Sequence, residues 1–176
     1  MKNIVLAATL IAGSASAAPP SATGSGFPGD MGRPTPEGPA AKAPSIDLAL
    51  EAAKAAVEAC KGYHVGISVI DASGAPKLYY IPDGTGGSHA YTGFRKAYAA
   101  LTFKMPTSQV SALAKTDSTV AAKIAADTNL LSWAGGIPLK VGDEIIGAIG
   151  VSGAEPSSKD EECGLVGVNK IKDRLK

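Results

Sequence analysis

Only two cysteines and two histidines occur in 176 residues, and that scarcity narrows the chemistry at once. Cys60 and Cys163 are far apart, so no Cys-x-x-Cys redox pair exists, and two thiolates alone cannot complete a zinc site. His64 and His89 form no H-E-x-x-H motif, and no serine sits in a Gly-x-Ser-x-Gly elbow. Hydrolysis carried by protein side chains alone is therefore disfavoured. The formal net charge of +1 provides no basic surface for nucleic acid. Beyond the first residues, no apolar run is long enough to cross a bilayer. No repeat in the solenoid range appears. The glycines at 147, 150 and 153 lack the G-x-G-x-x-G spacing, and no lysine follows in P-loop register, so nucleotide binding is not indicated.

What is present begins with residues 1–17, where Lys2 precedes an apolar run that ends in Ala15-Ser-Ala17. These are the three regions of a secretory signal peptide, with cleavage expected after Ala17 and a periplasmic or secreted destination. Loss of Lys2 with that segment leaves 16 basic and 16 acidic residues. Residues 18–44 hold seven of the twelve prolines, interleaved with glycine. Such a stretch buries too little apolar surface to offset chain entropy, so a disordered Pro/Gly-rich leader is expected. The folded domain is expected over residues 45–176.

Within the domain, Ser45 is a natural N-cap for a helix with Ile46, Leu50, Ala53, Val57 and Cys60 on one face. Val65 to Ile70 and Lys77 to Ile81 read as a hairpin turning at Asp71-Ala-Ser-Gly74. Helices are expected from His89 to Phe103 with Ser88 as the cap, from Pro106 to Ala114 and from Ser118 to Ala126. The stretch "GGIPLKVGDEIIGAIGVSG" (135–153) reads as a second hairpin turning at Gly142-Asp143. Period two there groups Ile145, Gly147, Ile149 and Val151 against Ile146, Ala148, Gly150 and Ser152. Its six glycines fit close approach by a helix, a neighbouring subunit or a flat ligand, with plain helix–sheet packing the simplest account. Ser158 and Glu161 stand at capping-box spacing before a last helix. Adjacent strands leave no room for crossover helices, so the class is α+β, a central antiparallel sheet with helices on its faces.

Three constellations merit attention. An even cysteine count in an exported chain favours a Cys60–Cys163 disulfide over two free buried thiols. The bridge is geometrically natural if the strand after Cys60 and the strand before Cys163 run antiparallel in one sheet. His89, Gly93, Lys96 and Ala100 form a helical stripe of imidazole, gap and ammonium. A flat ligand or an ordinary solvated polar face would suit that stripe. Ala52, Ala56, Gly164 and Gly167 permit close helix contacts within or between subunits.

The stretches "SVIDASGAPKLYYIPDG", "SHAYTGFRKAYAALTFKMPTSQV" and "GGIPLKVGDEIIGAIGVSG...KDEECGLVG" together closely resemble the GlcG/HbpS haem-binding protein family. The likeness runs from Ser45 nearly to the C-terminus, and Tyr80 and Ile81 stand where the family usually carries more polar residues. The resemblance implies a profilin-like sandwich that assembles into dimers or larger oligomers. It also implies an exported protein binding haem b, or another small flat ligand, for buffering, delivery or sensing. An enzyme-like member acting in haem degradation or on a small hydroxy acid is the alternative, as is an oligomeric partner module for a sensor or transport system. On this reading His89 is the candidate iron ligand, ahead of His64, Met105 and the tyrosines. Its helix start, Gly93, and the cations Arg95 and Lys96 are candidates to receive the ring and propionates. Gly135 and Gly136 are candidates for a backbone nest that meets a carboxylate.

Overall fold

The computed structural model describes residues 40–176. The proposed signal peptide and most of the proposed leader lie outside the described residues. In chain order the elements are α1 (Ile46–Ala59), β1 (Gly66–Asp71), β2 (Pro76–Tyr80), α2 (Gly87–Phe103), α3 (Thr107–Ala114) and α4 (Ser118–Ala126). They continue with β3 (Gly136–Val141), β4 (Glu144–Ser152) and α5 (Ser157–Ile171), which runs into a short 3₁₀ turn. The two hairpins join through β1 and β4 into one antiparallel sheet of order β2-β1-β4-β3. The α+β class with helices on both sheet faces is thus as expected. Domain contacts begin slightly upstream of Ser45: the Ala72 N–H donates to the Lys42 carbonyl, and Lys42 pairs with Glu144 at 2.6 Å.

Alternation along the strands divides the core. Ile67, Val69, Ile149 and Val151 face α1 and α5, whereas Ile70 and Ala148 face Phe94, Ala97 and Ala100 of α2. The Ser68 hydroxyl, on the α2 side, donates to the Ala90 carbonyl at 2.6 Å. Ser45 caps α1 as expected, its hydroxyl accepting from the Leu48 N–H. The buried stripe of α1 keeps Ala53 and Cys60 of the expected face but is otherwise rotated away from Ile46, Leu50 and Val57. It is Ala49, Ala52, Ala53, Ala56 and Cys60, with Ile46 half exposed. Small residues win because α5 lies so close: a Cβ on Gly167 would sit 2.5 Å from the Ala52 carbonyl oxygen. The expected role of Ala52, Ala56 and Gly167 in close helix contact is therefore met within one chain.

The glycine-rich hairpin has a packing explanation at its centre. A Cβ on Gly150 would fall 1.9 Å from the Gly93 carbonyl oxygen, so α2 rests directly on the β4 backbone. Strict period two fails near the turn. Leu139 pairs with Gly147 and Lys140 with Ile145, leaving Ile146 as a bulge residue. The extra residue swings Ile146 from the α2 side into the α1/α5 core. Two expected caps also differ: α2 starts from Gly86 rather than Ser88, and α5 from Pro156, with Ser158 inside the helix. Cys60 and Cys163 form a disulfide with Cα atoms 5.6 Å apart, joining the end of α1 to α5. Both cysteines are fully buried. β1 and β4 do run antiparallel, which brings the two cysteines to the same end of the sheet.

Candidate functional site

At the end of the sheet where α2 begins, an open cleft of about 290 Å³ lies between three segments, with Asp160 of α5 at its floor. Ser88, His89 and Thr92 come from the first turns of α2, Ser152 to Glu155 from the end of β4, and Trp133 from the loop before β3. The helix start is bare. Gly86 offers no side-chain cap, and the first turn carries no acidic residue. The His89 N–H reaches back to the Gly86 carbonyl, but no acceptor among the described residues meets the N–H groups of Gly87 and Ser88. His89 is half-buried against the cleft, while Trp133 is 62% exposed at its edge. His64 is exposed and does not line the cleft; its ring lies near Gly84 in the loop before α2.

Beneath the cleft runs a polar seam. The Lys96 ammonium and the Asp160 carboxylate are 2.7 Å apart and almost wholly excluded from water. Asp160 also accepts the Ala154 N–H at 2.8 Å, so one carboxylate ties α2 to the cleft wall. Burial pushes the Asp160 carboxyl above its ordinary range against the pull of Lys96, and burial likewise lowers the Lys96 ammonium against Asp160. The next residue, Glu161, accepts from the Ser108 N–H at 3.1 Å, from the Ser108 hydroxyl, and from the Gly135 N–H at 3.2 Å. The Gly136 N–H donates to the Thr107 hydroxyl at 2.8 Å.

These contacts correct several expectations for ligand-binding residues. Lys96 does not lie on an open stripe beside His89; it points inward, and Asp160 occupies its charge. Gly93 leaves no gap for a ring, since the Gly150 backbone fills that space. Gly135 and Gly136 do form donors that meet an acidic group, but the acid is the chain's own Glu161 and the second acceptor is Thr107. Arg95 lies outside the cleft lining, with its Nε buried and without a hydrogen-bond partner. Of the candidates, His89 alone lines the cleft. Sequence reasoning missed Trp133, Ser152 and Asp160. The single tryptophan in the chain was the available signal for the first. Asp160 was hidden in a charged run that reads as an ordinary helix start.

With the geometry established, comparison with known proteins is informative. A model of the family described as "Haem degrading protein HbpS-like" matches residues 45–169. The crystal structure of HbpS superposes with a TM-score of 0.66 at 30% identity, covering 76% of this chain and 93% of that one. A doubly substituted Streptomyces reticuli HbpS gives 0.65 at 29% identity, covering 88% and 97%. A complex of PduOC with haem gives 0.66 at 20% identity, covering 73% and 95%, a likeness of fold alone. No curated protein matches the chain. The match across the whole folded region and the 30% identity to HbpS make this chain a member of the HbpS-like family.

Proposed function

We propose that the protein is exported, works as a homo-oligomer, and binds haem b in the cleft at the start of α2, to buffer, deliver or sense it. The supporting observation is the pairing, across one cleft, of a half-buried imidazole with the chain's sole, exposed tryptophan. Imidazole is the commonest protein donor to b-type haem iron, and a tryptophan face stacks well on a flat aromatic ring. The donor set fits: His89 would hold the iron, Trp133 would lie against the ring edge, and the α2 start would receive a propionate. Clefts that enclose a small ligand run to about 300–1,000 Å³, so this one would hold an edge of the ring. A second subunit would then cover the remainder. The comparisons support the ligand class, since one structural neighbour is a haem complex and the family is described as haem degrading. Haem when bound would supply its own redox chemistry, and His89 and Trp133 would bind and orient it.

The test is a haemin titration of wild type, His89→Ala and His64→Ala, followed by Soret absorbance and by quenching of tryptophan emission. The expected result is a shifted Soret band and quenched emission in wild type and His64→Ala, with both changes lost or strongly weakened in His89→Ala. Retention of wild-type Soret position and affinity by His89→Ala would remove His89 as the ligand. The family description favours a second reading, degradation of haem. It predicts bleaching of the Soret band with iron release when reductant is added, whereas a binding protein keeps the band.

A further inference from the structure

We infer that the α2 end of the cleft is a carboxylate-binding subsite, built from the N–H groups of Gly87 and Ser88 and the hydroxyl of Ser152. Two independent observations converge on it. The first is the bare start of a 17-residue helix, with no side-chain cap and no acidic residue in its first turn. Free N–H groups and the positive end of the helix dipole favour an anion there. The second is Ser152. It is only 7% exposed and lines the cleft, and its hydroxyl has no hydrogen-bond partner among the described residues. Among the described residues the sealed, unpartnered side-chain atoms are on Tyr79 and Arg95, so the Ser152 hydroxyl instead opens on the cleft as a free donor, whereas Ser68, on the same sheet face, donates its hydroxyl to Ala90. Ser152 pairs with Gly66 in the sheet, and Gly66 abuts the His89–Ala90 peptide. That places the unpartnered hydroxyl beneath the first turn of α2.

The local charges select the class of anion. Asp160 is neutralised by Lys96, and the one further carboxylate on the cleft lining, Glu155, is exposed at the rim. A singly charged carboxylate is favoured there over a dianion, which would meet more repulsion. Its two oxygens match a backbone N–H pair and a hydroxyl, and Trp133 offers an apolar face to whatever the carboxylate carries. A haem propionate and the head of a free small carboxylic acid share this chemistry. The inference deepens the haem reading without depending on it.

Amide NMR shifts of the purified protein titrated with sodium propionate test the subsite directly, with propionamide as neutral control. Haemin and haemin dimethyl ester form the second arm. Two substitutions leave the fold alone. Ser152→Ala removes the hydroxyl. Gly87→Pro removes one N–H at the first helical position, where proline is favoured and Gly87 has open space around it. Saturable shifts at Gly87 and Ser88 with propionate but not propionamide, weakened about tenfold by either substitution, are the expected result for a free acid. For a haem propionate, esterification weakens haemin about tenfold in wild type but not in Ser152→Ala. Propionate binding without any haemin binding keeps the subsite and removes the haem reading. If propionate gives no saturable shift and esterification costs nothing, the subsite is wrong. It is equally wrong if both substitutions leave the affinities unchanged.

Discussion

Replacing Lys96 by methionine isolates the energetics of the buried pair. Methionine matches the lysine stem in length and apolar character, so packing against the sheet survives while the ammonium is lost. Asp160 then remains only 1% exposed with backbone donors alone, the N–H groups of Ala154 and Gly153. Breaking a buried ion pair by removing one partner costs about 3–5 kcal/mol, a large share of the 5–15 kcal/mol typical of a domain. The pH dependence has a definite sign. Burial already holds the Asp160 carboxyl above its ordinary range, and without Lys96 it rises further. A group whose folded value exceeds its unfolded one favours folding while protonated. The Lys96→Met deficit should therefore be smallest in acid and grow as pH rises through the raised value, reaching its full size near neutrality. The double variant Lys96→Met/Asp160→Leu should recover part of the loss, leaving about 1–3 kcal/mol for the orphaned Ala154 and Gly153 N–H groups. Urea unfolding with the disulfide intact, followed across pH, measures all three. A deficit below about 1 kcal/mol at neutral pH, or one that grows toward acid, would refute the reasoning.

Gly150→Ala should cost about 3 kcal/mol or more, because the added methyl meets a backbone carbonyl that cannot move without lifting α2; the urea midpoint reads it directly. Reducing Cys60–Cys163, which closes a loop across 103 positions, should cost up to about 4–5 kcal/mol, seen as a lower thermal midpoint in reductant. Because both cysteines are buried, reduction in the folded state should be slow and should speed up in denaturant. Glu161→Gln should cost about 1–2 kcal/mol, since it weakens the acceptor for Ser108 at the start of α3 and for Gly135; hydrogen exchange at those two amides should speed up while β4 stays protected.

The hairpins, the helix order and the disulfide were legible because each rests on local patterning or on cysteine arithmetic. Val65 to Ile70 alternates, Gly142-Asp143 turns, and two cysteines have one possible partner each. The site was harder to read because its partners are distant in sequence. Lys96 reads as a surface cation, since a helical stripe records spacing but not the carboxylate 64 residues on that draws it inward. Gly135 and Gly136 read as free donors for the same reason, their acceptors lying on α3 and α5. Ile146 lies on the opposite face from the one that period two predicts, because a bulge leaves no mark in a run of isoleucine, alanine and glycine. His89 was found because histidine is scarce and the glycine-rich loop before it marks a helix start.

The Cys60–Cys163 bridge has a topological meaning beyond its energy. It closes β1, β2, α2, α3, α4, β3 and β4 into a single covalent ring, so every residue lining the cleft, Asp160 at the start of α5 included, belongs to that ring. Among the described residues α1 hangs from one side of the closure, and the greater part of α5 from the other. A protease that nicks any loop inside the ring opens it without releasing a fragment, and the nicked protein still migrates as one chain until the bridge is reduced. Trimming from the N-terminus, by contrast, can proceed to the edge of α1 without touching the ring. The part of the molecule that carries the cleft is therefore the part that survives a single cut.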